Sequence, residues 1–289
     1  MGHEPKTLNT FLKPAVSELR ALWQGVRLST SLSTIPLQFR VTVLCTSSDI
    51  PATRKLCGFK GHSAELGCSR CLKKFPGGFG EKRDYSGFER EDWVKRKNDE
   101  HRMQAKRILK CKTKSGVRKL SKQYAWINYY SEVLELDYFD IIRFCSIDLM
   151  HNIFLGTAKY VFKHWVSEGH LSKQRLKTIE SRIETMEVLV EIGRLQKAIT
   201  SNYGSYTAEQ WKNWTIIYSL YALKDILSDQ HIRCWQTFVL ACKYLCKPAL
   251  CQDDIIRADF LLLKFCKECQ ALYGNNFCTP NMHRHCYLK

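Results

Sequence analysis

Acidic residues are scarce in this 289-residue sequence: 28 Asp plus Glu stand against 45 Lys plus Arg, a formal net charge of +17. A surplus this large argues against an ordinary metabolic enzyme and for a polyanionic partner, most often nucleic acid. Long apolar runs are lacking too. The longest resemble Trp214 to Leu223, which Tyr and Ser interrupt, far short of the ~20 residues a spanning helix needs. No membrane partner is therefore expected. No apolar stretch near Met1 fits a secretory signal, and Lys6 stands where a myristoylation pattern needs Ser or Thr. There is no internal repeat, nucleophile elbow, Walker loop or dinucleotide fingerprint, so the common hydrolase and nucleotide-binding signatures are excluded.

What is present fits a folded, soluble chain: 45% hydrophobic and 25% charged residues. Its length suits one large domain or two ordinary ones. The fourteen cysteines, in a basic chain without a secretory signal, point to a reducing compartment rather than a disulfide framework. Most are expected in the core as small apolar residues. Cys242 and Cys246, and the pair Cys266 and Cys269 inside a helical pattern, fit that reading.

Apolar positions from Leu8 to Trp23 recur at helical spacing. Pro14 is tolerated only in a first turn, which places the start of regular helix near it, and Gly25 ends the helix. Phe39, Val41, Val43 and Cys45 alternate with other residues, which predicts a strand over 37–46 with Asp49 just past its end. Residues 58–80 read as irregular. Beyond 139 helices are expected over about 149–167, 172–198, 208–228, 231–247 and 252–273, the third opened by a capping box of Thr207 and Gln210. Gly274 stops the last.

Four features could carry chemistry. Asp49, an acid at a strand end, is placed to hold a divalent ion, although a helix N-cap has the same signature. Cys68-Ser-Arg-Cys71 supplies half of a tetrahedral zinc site. The obvious donors for the rest are His283 and His285, with Cys278 or Cys286 in reserve. Asp148 and His151, at i and i+3, fit a ligand pair, an Asp–His hydrogen bond, or simply a cap and a core histidine. Residues 95–122 hold twelve cations, Lys95, Arg96, Lys97, Arg102, Lys106, Arg107, Lys110, Lys112, Lys114, Arg118, Lys119 and Lys122, against only Asp99 and Glu100. That stretch is either a solvated surface or a contact surface for a phosphate backbone.

Nine phrases in order make the chain resemble the transposases of CACTA-type (En/Spm-like) DNA transposons, the tnp2-like family. They run from Phe11-Leu12-Lys13-Pro14 and Leu22-Trp23-Gln24-Gly25-Val26 through Asp49-Ile50-Pro51-Ala52 and Gly58-Phe59-Lys60-Gly61-His62. They continue with Asp84-Tyr85-Ser86-Gly87-Phe88, Tyr138-Phe139-Asp140 and Asp148-Leu149-Met150-His151-Asn152. Ala208-Glu209-Gln210-Trp211 and Thr279-Pro280-Asn281-Met282-His283 complete the series. The V(D)J recombinase catalytic core is similar at greater distance, with its own CxxC about twenty residues after the middle acid and an Asp-x-x-His followed by a Gly.

The resemblance implies a mainly α fold with a small β portion, a partial RNase H-like core split by a large helical insertion. Residues 1–75 would carry the partial catalytic segment with the CxxC. Residues 76–289 would be the basic linker and insertion, ending in the His/Cys cluster. It implies three carboxylates holding two Mg or Mn ions for phosphodiester chemistry, a structural Zn, transposon-end DNA as partner, a nuclear location and self-association. Asp49 corresponds to the second acid, with Asp148 as the alternative middle acid and His151 beside it. The family's first acid lies upstream of the matching segment and its final Glu beyond the His cluster. The expected function is thus a DNA-binding transposase fragment that does not cut or join DNA alone. A zinc-stabilised DNA or chromatin interaction protein, or an active nuclease using Asp49, Asp148 and Glu209, are the other readings. The family's zinc histidines sit at i and i+4, and here those positions hold His283 and Tyr287, a poor ligand.

Overall fold

The computed structural model describes residues 5, 7–78, 81–124, 126–188 and 199–288. They are mainly helical with a small β portion, as expected. Two compact units emerge: residues 1–83 with 92–147, and residues 84–91 with 148–289. The segments 1–75 and 76–289 follow motif order, and compactness divides the chain elsewhere.

Unit 1 opens with helix α1 (Asn9–Gln24), closed by Gly25, whose φ of +111° suits a residue without a Cβ. Pro14 lies in the second turn, not at the start, on an exposed face, so its missing N–H interrupts only one rung. An antiparallel hairpin follows, β1 (Val26–Thr30) and β2 (Ser33–Phe39), with Val26 opposite Phe39. The strand expected over 37–46 is therefore displaced. Its middle is not in a sheet, because the Val41 N–H donates to the Leu22 carbonyl at 3.1 Å and the Val43 N–H to the Tyr138 hydroxyl at 3.4 Å. Local alternation could not reveal that these donors have tertiary partners.

Strand β3 (Thr46–Ser48) resumes the extended chain and leads into helix α2 (Ile50–Cys57). It pairs in parallel with β4 (Cys145–Ile147), with Ser48 opposite Ile147. Helices α3 (Asn98–Lys110) and α4 (Lys114–Tyr124) carry the basic stretch. The unit's core gathers Phe59, Trp126, Ile127, Leu134, Phe139 and Ile141.

Among its described residues, the regular elements of unit 2 are all helical. A π-helical segment, Met150–Ala158, runs into α5 (Lys159–Ser167), followed by α6 (Lys173–Thr185) and α7 (Ile199–Asn202). Then come α8 (Ala208–Asn213), a second π segment (Trp214–Tyr218), α9 (Ser219–Ala222), α10 (Asp229–Leu245), α11 (Gln252–Tyr273) and α12 (Pro280–His285). The helix expected over 172–198 ends at Thr185, and residues 189–198 lie outside the described set. The Thr207 capping box is formed: Gln210 N–H donates to Thr207 Oγ1 at 3.3 Å, and Thr207 N–H to Gln210 Oε1 at 2.7 Å.

The core of unit 2 is aromatic. Trp165, Trp211, Trp214, Trp235, Phe162, Phe238 and Phe265 are all fully buried. Phe162 meets Trp211 and Trp214 edge-on, at 5.6 and 5.4 Å between ring centres. Such geometry adds to area burial through the ring quadrupoles. Residues 84–91 join this unit through Arg90, which donates to both Asp259 oxygens at 2.6 and 2.7 Å, and through the Gly87 N–H to Gln270. Gly156 is required by close approach: a Cβ there would stand 2.3 Å from Asn281 Nδ2 and 2.6 Å from the His151 carbonyl.

Candidate metal centre and nucleic-acid interface

In unit 1 the Cys68–Cys71 turn is stitched to the segment entering α3. Leu72 N–H donates to the Val94 carbonyl at 2.8 Å and Arg96 N–H to the Arg70 carbonyl at 3.0 Å. Both cysteines are buried. The Arg70 N–H donates to Cys68 Sγ at 3.2 Å, as suits a thiolate two residues back. Arg96 is buried as well. Its guanidinium donates to the Cys68 carbonyl at 2.9 Å and the Leu66 carbonyl at 3.0 Å, and lies 3.9 Å over the Trp126 ring. Burial pulls the Arg96 pKa down to about 10, although Cys68 and Cys71 act the other way. Arg54 donates to the Lys60 and Gly67 carbonyls, and Arg70 to those of Ile142 and Cys145. Three guanidinium groups thus support the turn, and positive surroundings favour the thiolate that binds metal.

His283 in unit 2 is buried, its ring 6.1 Å from Tyr85 and 5.7 Å from Tyr287. As a donor set, buried Cys68, Cys71 and His283 could hold a metal ion. Two sulfurs and a nitrogen suit zinc. His285 is differently engaged: Nε2 lies 3.0 Å from Thr157 Oγ1 and Nδ1 3.7 Å from Cys266 Sγ. Full burial drives its pKa down to about 3, so it is neutral. Cys266 and Cys269 are core thiols, raised by burial, as expected.

Asp49 directly follows β3, as the sequence predicted, and also caps α2: Oδ1 accepts from Ala52 N–H at 2.7 Å. Asp148 directly follows β4. Its oxygens accept from the Met150 N–H at 3.0 Å and the His151 N–H at 3.3 Å, and Oδ2 meets His151 Nδ1. Burial raises the Asp148 pKa, but the His151 ring and the two N–H groups outweigh it and hold the carboxyl below its ordinary value. The Asp–His hydrogen bond and the capping role of Asp148 are therefore realised at once, while His151 is exposed rather than a core histidine. Glu209 sits in the first turn of α8.

The twelve cations of 95–122 separate into two sets. Arg96 faces inward, and Arg102 donates to the carbonyls of Leu134, Leu136 and Phe139 at 2.5–2.7 Å. The other ten, Lys95, Lys97, Lys106, Arg107, Lys110, Lys112, Lys114, Arg118, Lys119 and Lys122, are exposed. None of the ion pairs among the described residues involves them. Sequence reasoning missed the structural work of Arg54, Arg70, Arg96 and Arg102, since an arginine's charge does not tell which way its fork faces.

Residues 2–123 match the transposase family tnp2. The match covers α1, the hairpin, Asp49, the CxxC turn, α3 and nearly all of α4, which upholds the resemblance to a CACTA-type transposase fragment. Among curated proteins, none matches the chain. No helix among the described residues is long and apolar enough to cross a membrane.

Proposed function

We propose that the chain is a transposon-derived transposase fragment that binds DNA, working in the nucleus, and that it neither cuts nor joins DNA alone. The observation that carries this is the set of ten exposed cations on and around α3 and α4, none in an ion pair among the described residues and all within the stretch that matches the tnp2 family. Such a surface gains affinity by releasing counterions from phosphates, at a slope of about −0.9 in log K per log salt for each contact. The test is fluorescence anisotropy on a labelled duplex over a salt series. The expected result is steep weakening with salt; binding indifferent to salt, or none, overturns the reading.

Zinc belongs to the same proposal, held by Cys68, Cys71 and His283 with a fourth donor, as a structural ion pinning the fold. Metal analysis of the purified chain should return one zinc per chain, lost in Cys68→Ser. A metal-free wild type refutes it.

A second reading, the active metal-dependent nuclease, is favoured by the parallel register of β3 and β4. Ser48 stands opposite Ile147, so each strand ends at the same sheet edge and an aspartate comes next in each, Asp49 and Asp148. Carboxylates there would hold Mg or Mn, which activates water for attack on a phosphodiester. Nicking of supercoiled DNA with Mn²⁺, abolished by Asp49→Asn, would replace the first reading with this one.

A further inference from the structure

Unit 1 contains a cleft of about 530 Å³ whose lining includes Lys60, Glu65, Arg118, Ser121, Lys122 and Asn128. Lys60 lies outside the basic stretch in sequence. It comes to α4 because residues 58–60 are laced to 126–128: Lys60 N–H donates to the Trp126 carbonyl and Asn128 N–H to the Gly58 carbonyl, both at 2.8 Å. Gly58 closes α2 with φ of +72°, and a Cβ there would stand 2.3 Å from the Tyr129 carbonyl oxygen, so the approach demands glycine. Ser121 Oγ donates to the Ile127 carbonyl at 2.9 Å, and Lys60 Nζ to the Ser121 carbonyl at 2.6 Å. The walls are therefore fixed by hydrogen bonds, and the ammonium of Lys60 is held at a defined point.

Helix α4 carries Lys114, Arg118 and Lys122 at successive i, i+4 positions and has no acidic residue. Like charges at that spacing repel. Lys114 also stands at the helix N-terminus, where the dipole disfavours cations. The cleft's one carboxylate, Glu65, lies 3.5 Å from Lys74 Nζ. The structure thus holds an uncompensated cationic wall against a partly buried lysine, beside two neutral hydrogen-bonding groups. A bound anion would relieve this repulsion.

We propose that this cleft seats backbone phosphates of duplex DNA, with Arg118 and Lys122 contacting them and Lys60 as a third cation at a fixed position. The proposal rests on the DNA-binding reading above and adds where the duplex crosses unit 1.

The test compares the full-length chain with Arg118→Gln/Lys122→Gln, and with a charge-matched control on unit 2, Lys173→Gln/Lys177→Gln. Lys60 is left intact because it also bonds the Ser121 carbonyl. Circular dichroism and the unfolding midpoint confirm that each variant folds. Losing two phosphate contacts should lower the salt slope by about 2 and weaken binding roughly tenfold or more near 0.1 M salt. The control should keep the wild-type slope. If the wild type binds no duplex, the underlying reading fails. If it binds steeply with salt and the cleft variant behaves as the control does, the cleft proposal alone falls. Inorganic phosphate, added at constant ionic strength, separates the ligand sources. Displacement of duplex from the wild type but not from the cleft variant would make this a free-phosphate site and overturn the proposal. So would duplex RNA bound as tightly, with the same loss in the variant.

Discussion

Inside unit 1 the large polar elements are guanidinium groups; inside unit 2 the large elements are indoles. Arg54, Arg70, Arg96 and Arg102 tie loop carbonyls together where the chain lacks regular structure. Trp165, Trp211, Trp214 and Trp235 fill the helical unit; Trp165 donates to Tyr273 Oη at 2.9 Å and Trp235 to Ser219 Oγ at 2.8 Å, while the Trp211 and Trp214 N–H groups have no partner among the described residues. The contrast teaches that the basic surplus does two jobs. Part of it is internal scaffolding for irregular backbone, whose carbonyls must be bonded somewhere. Only the remainder is available to a polyanion. Unit 2 uses the device less, at Arg175 on the His170 carbonyl and at Arg182 on those of Ala222 and Lys224, because helices satisfy most of their own backbone.

This comparison can be broken in four places. Trp214→Ala should cost unit 2 the most, about 3–5 kcal/mol, through lost burial and the cavity left beside Phe162. A urea titration showing under about 1 kcal/mol would mean that the aromatic core does not carry that unit. Arg96→Met should cost unit 1 about 3 kcal/mol, since the Cys68 and Leu66 carbonyls lose their donor and each unsatisfied buried group costs about 1–3 kcal/mol. Arg107→Met, exposed on α3, should stay within about 0.5 kcal/mol. Equal effects of the two would refute the division between inward and outward arginines.

A third test uses His101, buried between Phe59 and Trp126 at 4.9 and 4.8 Å between ring centres. Burial first, then Arg96 and Arg102, lower its pKa from 6.5 to about 3. Between those values the unfolded chain binds a proton that the native chain does not. Stability is therefore fully present above pH 6.5 and falls as the pH drops towards 3. The loss by pH 5 is about 2 kcal/mol at about 1.4 kcal/mol per pH unit. His101→Phe should flatten this dependence in unit 1; an unchanged acid profile would show that other groups set it. The smallest effect is expected at Asp49. Asp49→Ala should cost about 1 kcal/mol by uncapping α2, whereas Asp49→Asn, an equally good cap, should cost almost nothing. A large loss in Asp49→Asn would mean that the charge itself holds the fold.

Much of unit 2 was legible in the sequence because helical periodicity is local. The capping box at Thr207 and the stop at Gly274 could both be read from neighbours within four residues. In unit 1 the CxxC turn and the acid after a strand were legible for the same reason. The hairpin was not, since Val26–Thr30 shows little alternation and its faces stay largely exposed. The β3–β4 pair was hidden by its separation, with Thr46 opposite Cys145. Of the candidate metal donors, Cys68, Cys71 and His283 announced themselves by residue type. The engagement of His285 with Thr157 and Cys266 depends on how α12 packs on the π-helical segment within unit 2.

By itself the sequence determined the helical character, the sulfur-rich turn, the similarity of residues 2–123 to the tnp2 transposase family and the amount of positive charge. These follow from residue type and short-range spacing. Only the tertiary structure decided which charges face water. Arg96 and Lys97 are neighbours with the same formal charge; one is buried over an indole between two carbonyls, and the other stands in solvent. The same holds for Lys60, brought to α4 by backbone bonds from residues more than sixty positions away. Long-range hydrogen bonds set those positions, and no local pattern encodes them.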